Sequence, residues 1–181
     1  GVLKEFATPI LQIHISEQGS FGKARLDASQ EGLESFGQVI ENAWLGRVLL
    51  SQVRANELIT LIDGVNVTEL TQDHEFVTIN AAKTSSQGES DSFNVKSPIL
   101  IAADGRDSFC RRALGVGANE HDYGQVALVT TVQTSLPHEQ QAFERFAPQG
   151  PLALLPLCGE NRRSIVWTVP KGTEQEWLGD A

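Results

Sequence analysis

The chain has 181 residues, 40% of them hydrophobic and 20% charged, with a formal net charge of −9. That composition excludes a disordered chain, and the length gives one large domain or parts of two. The acidity excludes a binder of nucleic-acid backbones, and the longest apolar run, 151–158, is far shorter than the ~20 residues that cross a bilayer, so membrane association is peripheral at most.

In chain order, Ile10 to Ile15 alternates and predicts a strand. Glu17 to Gly22 reads as a turn and Ala24 to Ala28 as the second arm of a hairpin. Gln30 to Gly37 is a polar connector. Val39 to Asn56 predicts a helix with Trp44, Leu45, Val48, Leu49 and Val53 on one apolar face; Asn42 lies at its start and Arg47 on a different face. Leu58 to Glu69 is β-rich, with a turn or bulge at Asp63-Gly64. Strands over Glu75 to Ala82 and Ser92 to Lys96 flank a polar loop at Thr84 to Asp91, giving an antiparallel meander. Pro98 to Ala103 is wholly apolar and fits a strand buried on both faces of a parallel sheet. A short helix starts near Asp107 or Ser108 and ends before Gly115. Strands follow at Val126 to Gln133 and Arg163 to Val169; between them lie Glu139 to Phe146, with apolar residues among polar ones, and the Pro/Gly-bracketed apolar segment Pro148 to Pro156. The polar tail from Gly172 begins a helix. This order predicts two interleaved layers that share a chain passing between them.

Cys110 and Cys158, like His14, His74, His121 and His138, sit at no metal-ligand spacing. No metal site is expected, and the cysteines read as free thiols of a reducing cytoplasm. His14 alternates with Ile13 and Ile15 and reads as a structural strand histidine. Two segments carry chemistry. In Ala102 to Arg111 a strand stops at Asp104-Gly105 and a helix begins. Gly105 lets backbone approach a ligand, the helix start offers N–H groups to a phosphate, Asp104 can bond a polyol hydroxyl, and Arg111 adds positive charge. Such a turn is also an ordinary way to enter a capped helix. Gly150-Pro151-Leu152-Ala153-Leu154-Leu155-Pro156 is apolar and rigid at both ends; it is either a pocket wall or a plain buried strand. No G-x-G-x-x-G, phosphate-binding lysine loop or nucleophile elbow is present, and no catalytic side chain is assigned.

Three stretches together resemble the ubiquinone-biosynthesis hydroxylases among the class A flavoprotein monooxygenases. They are Ile13-His14-Ile15-Ser16 with Gly19, then Ala102 to Arg111, then Tyr123 through Ala142-Phe143-Glu144-Arg145-Phe146 to Pro156. The resemblance implies a mixed α/β fold like that of para-hydroxybenzoate hydroxylase, in which a Rossmann-like FAD layer interleaves with a mixed substrate-binding sheet. Residues 29–116 then belong to the FAD layer, and 1–28 and 117–181 to the sheet. It places Asp104, Gly105, Arg111, Asn42 and Arg47 at the cofactor and Gly150 to Pro156 at the substrate.

The implied activity is hydroxylation of a polyprenylated phenol with FAD, NAD(P)H and O2 through a C4a-hydroperoxyflavin. The implied setting is the cytoplasm or the inner-membrane surface, with other ubiquinone-biosynthesis proteins as partners and oligomerisation left open. The family's opening G-x-G-x-x-G and closing Gly-Asp motif are missing, Gly179-Asp180 lacks the latter's context, and no Met is present. The expectation is therefore an internal piece, inactive alone and weak or lacking in FAD binding. The alternatives are another FAD-dependent oxidoreductase of the same fold and a non-catalytic interaction domain.

Overall fold

The computed structural model describes residues 2–84 and 90–179. They form two compact units, one built from Gly1–Asn56 and Asp122–Ala181, the other from Glu57–His121.

The first unit opens with a short 3-10 helix, Val2–Glu5, followed by β1 (Ala7–Ile10), β2 (Gln12–Glu17), β3 (Lys23–Asp27), β4 (Gly37–Ile40) and α1 (Asn42–Ala55). The helix expected from Val39 starts instead at Asn42. Val39 and Ile40 are β-branched, and pairing with β1 (Thr8 opposite Val39, Ala7 opposite Ile40) draws them into a two-stranded sheet. Of the expected apolar face of α1 only Val48 is buried, while Leu49 stays half exposed. Trp44 stacks on Phe6 at 4.3 Å between ring centroids. Glu41, just before the helix, receives a two-pronged hydrogen bond from the Arg162 guanidinium at 2.9 and 3.0 Å, which holds its carboxyl below the usual carboxylate range.

The second unit holds an antiparallel meander of β5 (Val65–Gln72), β6 (Val77–Thr84) and β7 (Ser90–Ser97), then the short helix α2 (Phe109–Ala113), which packs on β5. The β-rich expectation for Leu58 to Glu69 holds from Val65 onward, just after the turn at Gly64 (φ +66°). A bulge between Val67 and Glu69 sets the Thr68 hydroxyl on the Asn80 carbonyl. The loop expected over Thr84 to Asp91 lies at 85–89 outside the described residues. The buried strand expected at Pro98 to Ala103 is not formed. Those residues have no strand partner among the described residues, and Ile99 and Ile101 are 72% and 84% exposed. An apolar run reads as a buried strand only if neighbours supply both flanking ladders and both covering faces.

The chain re-enters the first unit as β8 (Gln125–Gln133), β9 (Gln141–Phe146), β10 (Leu152–Pro156), β11 (Arg162–Pro170) and α3 (Glu174–Leu178). These strands and the β2–β3 hairpin make one six-stranded sheet in the order β3-β2-β9-β10-β11-β8. Every pairing is antiparallel except β2 with β9. The sheet is thus mixed, as the fold class requires. α3 closes against β11 through an edge-to-face contact of Trp177 on Trp167 at 4.6 Å.

Two devices aim β9 and β10. The β8–β9 connection turns on His138, whose ring is buried. Its Nδ1 accepts from the Gln140 N–H at 2.9 Å, so Nε2 carries the proton and donates to the Leu157 carbonyl at 3.0 Å. This ring holds Glu139 and Gln140 at φ +49° and +58°, where side-chain-bearing residues are strained. The β9–β10 connection turns on Gly150 (φ +130°), where a Cβ would lie 2.0 Å from the Thr168 carbonyl oxygen. Any side chain there drives β10 and β11 apart. All three tryptophans lie in this unit, so their fluorescence reports its unfolding. Gly150→Ala is expected to lower its stability by about 3 kcal/mol or more in urea denaturation.

Candidate functional site

The Asp104 turn is held together from within. Asp104 accepts the Ser108 hydroxyl on one carboxylate oxygen at 2.6 Å and the Cys110 N–H on the other at 3.0 Å. Ser108, the buried N-cap of α2, accepts the Arg111 N–H on its hydroxyl oxygen at 2.9 Å. Two amides at the helix start are therefore already satisfied. The expectation that the helix start offers open N–H groups to a phosphate is corrected to that extent, because the capping side chains consume them first.

The same bonds keep Asp104 ionised. The Cys110 N–H and then the Ser108 hydroxyl hold its carboxyl far below the usual range, against a smaller opposing effect of desolvation. Asp104 and Gly105 are both exposed, and Gly105 (φ +80°) has open space where a Cβ would be. An exposed carboxylate with spare lone pairs fits a polyol hydroxyl, such as those of a ribityl chain or ribose, better than a diphosphate. Cys110 is buried, and burial followed by the neighbouring Asp104 pushes its thiol up.

Asn42 and Arg47 sit exposed on the first turns of α1. Arg47 is not on a face apart from Trp44. Its guanidinium lies 4.6 Å from the Trp44 ring centroid, since residues three apart on a helix are neighbours. Arg111 is half buried on α2. Gly150 to Pro156 run into the interior strand β10, between β9 and β11. Leu152 and Leu154 share one face with Phe143 of β9 and with Ile165 and Trp167 of β11; Ala153 and Leu155 share the other. The candidate residues thus fall on α1 and β10 of one unit and the Asp104 turn of the other.

Sequence reasoning missed Arg163. It is 6% exposed and donates to the Gln141 and Pro137 carbonyls at 3.1 and 3.4 Å, with its guanidinium 5.3 Å from the Phe143 ring. Burial makes that cation easier to deprotonate than a free arginine, and no carboxylate pairs with it among the described residues. The signal was available: Arg163 alternates with Ile165, Trp167 and Val169, and an arginine on an apolar strand face points at the core or wastes a charge. His14 rests against Phe143 on that face, 5.5 Å between rings, in line with a structural role.

This mixed α/β architecture is the one found in the flavin-dependent monooxygenase PieE bound to FAD and substrate. The TM-score is 0.74 at 17% identity, over 99% of this chain and 34% of that one, a likeness of fold. Residues 5–179 match the FAD binding domain family, and the chain belongs to it. The chain is 34% identical over 160 residues to the ubiquinone hydroxylase UbiL of Rhodospirillum rubrum, covering 88% of this chain and 35% of the relative. It is 29% identical over 141 residues to the human mitochondrial ubiquinone biosynthesis monooxygenase COQ6, covering 77% and 30%. The chain thus spans about a third of the length of these curated relatives.

The capping network makes two expectations. Ser108→Ala costs the second unit ~1 kcal/mol, read from hydrogen exchange of its amides. Because the folded-state affinity of Asp104 for its proton is lowered, the cap is fully present above its ordinary value of 3.8 and fails only as pH falls through the lower folded value. Protection of the Cys110 amide therefore outlasts protonation of ordinary carboxylates. The thiols also differ: exposed Cys158 reacts with a disulfide reagent in the native protein, and buried Cys110 reacts only on unfolding.

Proposed function

We propose that this chain forms part of an FAD-dependent monooxygenase that hydroxylates a polyprenylated phenol in ubiquinone biosynthesis, with NAD(P)H and O2 as co-substrates. The observation that carries this reading is the likeness to two ubiquinone-pathway enzymes over most of the chain. FAD, when bound, supplies the oxygen chemistry, which no protein side chain provides.

The chain's own residues orient and enclose. Asp104 offers an ionised acceptor to the cofactor's hydroxyls, and Gly105 leaves its backbone open to close approach. Asn42, Arg47 and Arg111 provide further polar contacts. Gly150 to Pro156 supply the wall against which the phenol lies. An apolar wall of leucines in an interior strand keeps water from the reacting atoms and suits a prenylated ring. In this reading residues 29–116 serve the flavin layer and 1–28 with 117–181 the substrate sheet. No helix among the described residues is long and apolar enough to cross a membrane. We place the protein in the cytoplasm or at the inner-membrane surface, near other ubiquinone-biosynthesis proteins.

The gene that carries these residues is to be expressed in a bacterium deleted for its own ubiquinone hydroxylases. Restored ubiquinone, with loss of the unhydroxylated precursor by mass spectrometry, is the expected result. Extract activity should require O2 and NAD(P)H. An unchanged precursor pool in cells that contain the folded protein overturns the reading.

A further inference from the structure

The six-stranded sheet carries a charge pattern that the flavin reading does not use. Ser16 of β2 pairs with Lys23 of β3 on one side and with Arg145 of β9 on the other. Directly paired residues share a face, so an ammonium, a hydroxyl and a guanidinium lie in one row across three strands. Strands stand about 4.8 Å apart, which puts the two cationic residues ~10 Å apart at the backbone with the hydroxyl between them. The next row on that face brings Arg25 and His14. Arg145 leans toward Ser16, Nη1 to Oγ 3.5 Å. A cleft of about 230 Å³ opens there, lined by His14, Ser16, Lys23, Arg145 and the hairpin loop that holds Phe21.

Three cations therefore gather on one face of the sheet, across β3 and β9, in a chain whose net charge is −9. Among the described residues none of the three has a carboxylate within ion-pair distance. Glu17, also at the cleft, accepts the Ser20 hydroxyl within its own loop at 2.8 Å. Charges on β3 alone have a plain purpose, since β3 is an edge strand and lysine there discourages pairing with another chain. That purpose does not reach Arg145, which lies on the interior strand β9 in the same row as Lys23 and Ser16.

The geometry points to an anion site for a phosphate group at Lys23, Ser16 and Arg145. A phosphate presents three or more oxygens, enough to take an ammonium, a hydroxyl and the two-pronged guanidinium together, whereas a carboxylate presents two. Phe21 at the lip of the cleft is 100% exposed, an apolar tip beside the anion position. The phosphate is carried by a free phosphorylated molecule or by a lipid headgroup, and both present the same chemistry. Arg145 pairs on its other side with Leu152, so the anion position adjoins the proposed substrate wall, but it includes none of that wall and phosphate binding is read without flavin.

The test titrates inorganic phosphate into the labelled chain at constant ionic strength, followed by amide NMR. The expected result is saturable shifts at Ser16, Gly22 and Lys23, weakened about tenfold in Lys23→Gln with Arg145→Gln. These side chains are exposed, and an unchanged circular dichroism spectrum certifies the variant. A second arm sediments the protein with phosphatidylcholine vesicles, with and without phosphatidylglycerol. Binding to the anionic vesicles that is lost in the charge variant and in Phe21→Ser supports a headgroup as the source. Saturable phosphate binding without vesicle binding supports a free phosphorylated molecule. Shifts that never saturate, or that saturate equally in the charge variant, overturn the site.

Discussion

The pairing of β2 with β9 holds the first unit together. Gln12 lies opposite Gln141, 129 residues further along the chain, and their side chains meet at 3.4 Å. Without this one parallel seam the sheet separates into the β2–β3 hairpin and a four-stranded antiparallel sheet in the order β9-β10-β11-β8. The seam is fixed at its start. Gln140, held in its left-handed conformation by His138, points its carbonyl at the Leu11 N–H at 2.9 Å. The next carbonyl, of Gln141, takes the buried Arg163. A strained turn, a buried imidazole and a buried guanidinium together set where β9 lies, and β9 in turn sets β10.

The Asp104 turn follows a different logic. Its carboxylate serves the helix first, since Ser108 and Cys110 occupy the side of the group that faces α2. The exposed side of the group stays open, already charged and already oriented. An acceptor positioned in advance binds a hydroxyl with little reorganisation, and the preparation is done by the cap. The same arrangement removes Cys110 from chemistry by burying its thiol beside a negative charge.

Local signals made much of this legible. The β2–β3 hairpin, the meander strands, the Ser108 start of α2 and the strands β8 and β11 follow from alternation and turn residues read over a few positions, whereas the segment that forms β9 showed only apolar residues among polar ones. The failures share one cause. β4 was hidden because Val39 and Ile40 are strand residues only when β1 is alongside. The run at 98–103 promised burial that depends on neighbours, which no property of the run supplies. The parallel seam joins residues too distant for any window to connect. In the site, Asp104 and Gly105 stood out through their turn chemistry. Arg163 did not, because an arginine next to Arg162 at the start of a strand reads as surface unless its alternation with Ile165, Trp167 and Val169 is followed.

The seam also sets the order in which the sheet can be assembled during synthesis. The β2–β3 hairpin leaves the ribosome with one flank of β2 unpaired, and its partner is translated 129 residues later. At ~5–20 residues per second that interval is on the order of ten seconds. Throughout it a strand carrying Ile13 and Ile15 presents open backbone groups to whatever is nearby. The cations at Lys23 and Arg25 flank only the other side of that hairpin, so β2 depends on timely arrival of β9, or on a chaperone, to stay out of foreign pairings.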